Sequence, residues 1–295
     1  MTTLPLKRPV AAAGLRPMLP YLAMVAGMVS LCAGTSFAKG LFPAVGAEGA
    51  TAYRVGLAAV MLMLVWRPWR TRFTRADLTG LALYGAAIGA LNLCFYLSLR
   101  TIPLGVAFAI EFAGPLALAL AHSRRLIHFV WVGLAVVGLA LLLPLPGAGT
   151  RLDPVGVGLA ALAGVFWALY IIFGKRLSHI HPGQSVAMGM SVAALAVVPF
   201  GVVHAGAALL APPVLLAGLV VALASSAIPY SLDMFAMRHI PKRTFGVLLS
   251  GEPAIGALAG VLVLHERLSG QQWLAIAAIV AASAGAVMTT RPADR

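Results

Sequence analysis

With 295 residues, a mean hydropathy of +0.97, 61% hydrophobic residues and only 10% charged ones, the chain lies far from a soluble domain, where roughly a quarter of residues carry charge. Water is excluded as its main solvent, and so is any sizeable soluble catalytic or sensor domain, because apolar runs follow one another almost end to end. A net charge of +13 would suggest nucleic acid in a soluble protein; here its meaning depends on where the basic residues fall.

In chain order, apolar runs bounded by charged or Pro/Gly-rich breaks predict helices over 18–39, 47–66, 76–98, 102–121, 126–144, 154–176, 184–204, 214–236, 242–264 and 271–290. An all-α integral membrane protein of ten transmembrane helices follows, with both termini on one side. If that side is cytoplasmic, the inner segments hold Lys7, Arg8, Arg16, Arg67, Arg70, Arg72, Arg75, Arg124, Arg125, Lys175, Arg176, Arg238, Lys242, Arg243, Arg291 and Arg295. The outer ends and loops hold only Lys39, Arg100, Arg151 and Arg267. This positive-inside bias predicts cytoplasmic termini and assigns the net charge to topology and anionic membrane lipid, with no nucleic-acid partner.

The expected organisation is a cytoplasmic N-terminal segment over 1–17, a first five-helix repeat over 18–144, an outer linker over 145–153, a second five-helix repeat over 154–290 and a cytoplasmic tail over 291–295. The basic residues ahead of the first run, with Ser36-Phe37-Ala38 near its end, have some features of a cleaved signal. The run is longer than a signal core, however, and its loss would break the repeat. Cys32 and Cys94 lie within apolar runs and are read as packing residues rather than a disulfide.

The repeat itself is visible in landmarks. Leu99-Arg100-Thr101-Ile102-Pro103 recurs as Met237-Arg238-His239-Ile240-Pro241, and Pro115 recurs as Pro253 at the same offset. Further on, Arg125-Leu126 and Trp131 match Arg267-Leu268 and Trp273 at a spacing four residues longer, about one helical turn. Five spans per copy is an odd number, so the second copy enters the membrane from the opposite side. Inverted repeats are the signature of carriers that work by alternating access, with the substrate site near the midplane.

A carboxylate near the bilayer centre costs at least ~2.5 kcal/mol, so each one needs a partner, a proton or a polar cavity. Glu111 is expected near the middle of the fourth span, Glu252 near the middle of the ninth and Asp233 toward the inner end of the eighth. The repeat maps Gly114 onto Glu252, which puts the two glutamates roughly 4.5 Å of helical rise apart on equivalent helices, facing one central space. They serve binding or proton coupling, or else hydrogen-bond structurally between helices; Asp233 is either functional or paired with Arg238. Arg54 is the basic residue well inside a span, and its fork suits a substrate carboxylate or a protein acid such as Glu111. Lys39 and Glu48, at the outer ends of the first two spans, read as snorkelling groups, with a functional role as the alternative.

Pro115, Pro253 and Pro229 remove the amides that would bond the carbonyls of Glu111, Leu249 and Ser225, and are read as kinks. Gly85-x-x-x-Gly89 and Gly256-x-x-x-Gly260 allow close packing within the chain. Asn92, Trp167, Tyr170 and Tyr230 are candidates for lining a cavity, against the alternative of interhelical bonding and packing. No Gly-x-x-x-x-Gly-Lys-Ser/Thr loop occurs, His265-Glu266 lacks a second histidine four residues after the first, and no Ser/His/Asp set is evident. ATP, a metal or cofactor, and enzymatic catalysis therefore have no support in the sequence.

Two stretches carry a family resemblance: Glu111-Phe-Ala-Gly-Pro115 leading into Ser123-Arg124-Arg125, and Pro229-Tyr230-Ser231-Leu232-Asp233 leading through Pro241-Lys-Arg-Thr-Phe-Gly246 to Glu252-Pro253. Through them the chain resembles the drug/metabolite transporter superfamily, in its ten-span, two-repeat EamA-type branch, and within that the bacterial threonine and homoserine exporters. Asp233 stands where those exporters are expected to carry glutamate, and glycine separates Ser250 from Glu252. The resemblance implies export of small neutral amino acids across the cytoplasmic membrane, driven by protons; another metabolite or drug is the alternative cargo. An amino acid would enter from the cytoplasm, its charged ends meeting Arg54 and a glutamate, and rocking of the repeats would open the site outward as a proton returns.

Overall fold

The computed structural model describes residues 18–121, 126–142, 152–240 and 248–289, and among these all regular structure is helical. In chain order the helices are α1 (Leu19–Gly40), α2 (Phe42–Trp66), α3 (Arg75–Ser98), α4 (Leu104–Ala121), α5 (Leu126–Leu142), α6 (Pro154–Arg176), α7 (Pro182–Ala205), α8 (Pro212–Ala222), α9 (Ile228–His239), α10 (Glu252–Leu264) and α11 (Gly270–Thr289). Hydrocarbon leaves no water to satisfy a backbone amide, so apolar runs of this kind close their hydrogen bonds within the segment. Their starts are marked where the first amides are free in any case, by proline early in α1, α2, α6, α7 and α8. Thr74 and Asp77 close a reciprocal capping box on α3. Asp153 caps α6, accepting from the Val155 and Gly156 amides at 3.2 Å each.

Among the described residues, six segments are long and apolar enough to cross a membrane: Leu19–Gly40, Phe42–Trp66, Arg75–Ser98, Pro154–Arg176, Pro182–Leu210 and Pro212–Asp233; the stretches Leu104–Leu118, Phe129–Leu141 and Glu252–Leu264 are shorter apolar helices.

Two expected spans are interrupted, and a break precedes the expected start of a third. In α2, Gly46 has φ 69° and ψ 175°, a left-handed turn that glycine takes without a Cβ clash, and the chain breaks there before helix resumes through Glu48 and Arg54. In the eighth run, α8 and α9 are joined by a π-helical turn over Leu223–Ala227. The ninth run turns at Ser250-Gly251, and α10 begins at Glu252 with Pro253 just behind it. Pro229 and Pro253 were expected to kink continuous helices. Instead one sits behind a widened turn and the other beside a fresh helix start, whereas Pro115 lies inside the continuous α4.

The packing is reciprocal between the two halves. α2 lies along α7; α3 rests on α6 and α7, as the α8–α9 run rests on α1 and α2; α4 meets α6, as α10 meets α1; α4 meets α10 and α5 meets α11. Glycine makes the closest of these approaches possible. A Cβ on Gly85 would lie 2.5 Å from the Gly189 carbonyl oxygen of α7, so the spacing of glycines on α3 serves packing within the chain.

At one end of the bundle, Lys39 at the end of α1 binds Glu266 after α10 at 2.6 Å, and Glu266 also accepts from the Leu104 amide at the start of α4 at 2.9 Å. Beside it Arg100 binds Glu48 at 2.9 Å, with His204 at the end of α7 3.7 Å from the same carboxylate. At the far end the start of α3 and the segment before it meet the turn after α6 and the start of α7: His179 lies 2.7 Å from Asp77, and Gln184 donates to Thr71 at 2.6 Å.

Candidate functional site

Arg54 occupies the middle of α2, about two turns beyond the Gly46 break, and is only 7% exposed. Its Nε donates to Ser226 Oγ at 3.2 Å, and its guanidinium carbon stands 5.2 Å from the centre of the Tyr96 ring. Tyr96 is fully buried, and its hydroxyl is near the guanidinium without aligning as a hydrogen bond. Among the described residues no carboxylate reaches Arg54 at ion-pairing distance.

Glu111 lies on α4, one turn before Pro115, which has no amide to return to the Glu111 carbonyl. α6 closes on that carbonyl so tightly that a Cβ on Gly164 would stand 2.5 Å from its oxygen. The Glu111 side chain is buried, with no hydrogen bond or ion pair to the described residues.

Glu252 is the first residue of α10, where unpaired amides and the positive end of the helix dipole favour negative charge. The sequence had suggested the middle of a span; the turn at Ser250-Gly251 makes it a helix start instead. Cys32 on α1 is fully buried and directs its thiol toward the Glu252 backbone carbonyl, at 4.0 Å. This cysteine, read from the sequence as packing, lies within electrostatic reach of Glu252, Arg54 and Glu111.

Asp233 on α9 buries Oδ1 without a hydrogen-bond partner among the described residues, against the open face that Gly27 leaves on α1. Its expected partner, the Arg238 side chain, lies outside the described residues. Tyr230 precedes Asp233 by about a turn, and Tyr170 stacks on Tyr84 at 5.0 Å between ring centres. Glu111 senses Glu252 and Arg54, Glu252 senses Asp233 and Arg54, Tyr230 senses Tyr170, Arg54, Asp233 and Glu111, and Tyr170 senses Asp233. Six of the sequence candidates thus share one neighbourhood, in which Arg54, Glu111 and Glu252 are buried and Tyr170, Tyr230 and Asp233 half-buried, and Ser226, Tyr96, Tyr84 and Cys32 join it from outside that set.

Two candidates have other partners. Asn92 donates to the Ile88 carbonyl of its own helix at 2.8 Å, and Trp167 meets Phe112 edge to face at 5.5 Å. Lys39 and Glu48 are each held in the ion pairs at the end of the bundle, because Glu266 and Arg100 are brought there by turns the hydropathy pattern does not resolve. Glu266 owes its place to His265, whose left-handed conformation ends α10 and lets the Glu266 amide bond back to Gly260 at 3.1 Å.

Residues 154–288 match the EamA-like transporter family. Over 273 residues the chain is 48% identical to a protein of Salmonella typhimurium (strain SL1344) named threonine/homoserine exporter RhtA, covering 92% of each chain. The chain belongs to the EamA-like transporter family. A protein of the same name from Escherichia coli K12 is 47% identical over 92% of each chain. An uncharacterized inner membrane transporter of that strain, YedA, is 28% identical over 70% of this chain and 68% of its own. A solved crystal structure superposes with a TM-score of 0.58 at 19% identity, over 92% of this chain and 96% of that one, which speaks to the fold alone. This EamA-type transporter is a multi-pass protein of the bacterial inner membrane.

Proposed function

We propose that this transporter exports small neutral amino acids, threonine and homoserine among them, from the cytoplasm by proton-coupled alternating access. The cargo follows the names of the RhtA relatives at 47–48% identity. The frame is ten spans in two inverted five-helix repeats with cytoplasmic termini. It is supported by packing that reads the same when the halves are exchanged, and by the gathering of the turns after α1, α3, α7 and α10 at one end while those after α2 and α6 meet at the other. The first end is then outer and the second cytoplasmic.

One observation carries the substrate assignment: Arg54 is buried with a single side-chain hydrogen bond, through Nε, and no carboxylate partner among the described residues. A guanidinium in hydrocarbon without a counter-charge costs several kcal/mol, of the order of 2.5–3.5 on insertion scales. A substrate carboxylate relieves that cost, and the two Nη groups provide the fork that holds it. Glu111, Glu252 and Asp233 share the neighbourhood with that one guanidinium. If all three ionised, negative charge would exceed positive, so a substrate ammonium and a proton both have places there. Outward opening would release the amino acid as a proton enters, and the proton would leave inward when the empty carrier returns.

The test is efflux of labelled threonine and homoserine from loaded vesicles, with and without an uncoupler, in the parent, Glu111→Gln and Glu252→Gln. The parent should export both in an uncoupler-sensitive way, and the two variants should lose that sensitivity or the export itself. Unchanged proton-dependent export in both would refute the coupling assignment, and efflux of unrelated amphipathic drugs alone would refute the cargo.

A further inference from the structure

The π-helical turn over Leu223–Ala227 lies just ahead of a missing amide. In that turn the Ile228 amide bonds the Leu223 carbonyl five residues back, so the Ala224 carbonyl would need the amide of residue 229. That residue is Pro229, which has none. The orphaned Ala224 carbonyl is taken up from outside, by Ser30 Oγ of α1 at 2.7 Å. α1 can come that close because Gly34 has no side chain; a Cβ there would lie 2.6 Å from the Ser225 amide nitrogen. The turn is therefore pinned against α1, and both Ser225 and Ser226 are fully buried. Ser225 spends its hydroxyl on the Val221 carbonyl of its own helix at 2.7 Å, whereas Ser226 presents its oxygen to Arg54 Nε at 3.2 Å.

A guanidinium offers five donors in one plane. Ser226 occupies the Nε edge and Tyr96 lies beneath one face, which leaves the edge formed by the two Nη groups. That edge is the one that grips a carboxylate with two parallel hydrogen bonds.

We propose that Ser226 is the positioning residue of the anion subsite: by holding Arg54 at Nε it aims the Nη edge into the site, and it thereby makes a free substrate carboxylate a requirement for tight binding. This rests on the amino-acid export proposed above. Ser226 does not touch the substrate; it limits the directions the Arg54 fork can take, so its loss weakens binding of the carboxylate without altering the opening and closing of the carrier. Asp233, Glu252 and Glu111 would serve the ammonium end and are left as they are.

The experiment measures efflux kinetics for threonine and for threonine methyl ester, which keeps the ammonium and loses the anion, in the parent, Ser226→Ala, Ser226→Thr and Pro229→Ala. For threonine, Ser226→Ala should raise KM about tenfold, the scale of one hydrogen bond to a charged group, with kcat nearly unchanged. Ser226→Thr should restore KM, since its hydroxyl replaces the lost acceptor. The ester should bind weakly in the parent and equally weakly in Ser226→Ala. Pro229→Ala supplies the missing amide, lets the turn revert toward α-helix and should raise the KM for threonine as Ser226→Ala does. An unchanged threonine KM in Ser226→Ala, or an equal loss for acid and ester, overturns the positioning role while leaving amino-acid export intact. Absence of threonine efflux in the parent overturns the proposed cargo and this inference with it. Should Ser226→Ala not assemble in the membrane, Ser226→Thr decides: parent-like KM for threonine with a weak ester supports the role, and a raised KM refutes it.

Discussion

Two groups of charges in this protein are handled in opposite ways. At the end of the bundle that gathers Lys39, Glu48, Arg100 and Glu266, each acid is matched by a base at 2.6–2.9 Å, and Glu266 caps α4 as well. In the middle, Arg54, Glu111 and Glu252 are buried more deeply than Lys39 or Arg100, yet no ion pair joins them among the described residues. Water is nearer at the end of the bundle, where an unmatched charge would be tolerated better, so the physics of solvation alone would predict the reverse distribution. Matched charges hold turns together, while unmatched buried ones are a standing cost that folding does not recover. On the proposed function, a transporter retains them because a cargo supplies the missing partner.

The sharpest way to break this comparison is to replace Arg54 by leucine. Export should fall by about a hundredfold or more, because a bidentate charged contact is lost, while the thermal midpoint in detergent should rise, because an unmatched buried charge has gone. A lower midpoint would mean that Arg54 is a structural residue and the contrast is false. At the matched end, Lys39→Met should do the opposite. Glu266 would be left half-satisfied, the midpoint should fall by an amount equivalent to about 1–3 kcal/mol, and export measured below that midpoint should stay within a few-fold of the parent.

The smallest effect concerns a charge outside both groups. Asp153 accepts from the Thr101 side chain and from the Val155 and Gly156 amides, and these bonds hold its carboxyl below the ordinary aspartate range. A depressed value in the folded state means that the contribution to stability is complete at neutral pH and is lost as pH falls through that lowered value. Thermal midpoints should therefore differ slightly between the parent and Asp153→Ala at neutral pH and converge in strong acid. A gap that widened on acidification would show that the assigned sign is wrong.

The helices were largely legible in the sequence, since most lie within one apolar run, and Arg54, Glu111, Glu252 and Asp233 stood out there as charges inside such runs. Harder to see was what each proline does. Pro115, Pro229 and Pro253 look alike as letters, yet one stays within a helix, one follows a π turn and one marks a helix start. The outcome depends on what fills the vacated space: Gly164 crowding the Glu111 carbonyl, Ser30 reaching the Ala224 carbonyl, and Gly251 turning the chain. Those partners come from distant stretches. Ser226 and Tyr96 were missed because serine and tyrosine are ordinary in membrane helices; Ser225-Ser226 shortly before a mid-span proline was the available signal. Glu266 was weighed only as part of a failed metal motif, and its role depends on a backbone turn at His265 that no hydropathy profile carries.

The missing amide of Pro229 also has a rotational meaning. A helix advances about 100° per residue, so the extra residue held in the turn sets the phase of everything after it. Tyr230 and Asp233 point into the central neighbourhood at that phase. In an unbroken α-helix the same two side chains would be swung roughly a quarter-turn round the axis, and the site would lose an aromatic wall and an acid together. The π turn ahead of the Pro229 ring thus acts as the index mark by which the span is set against its neighbours.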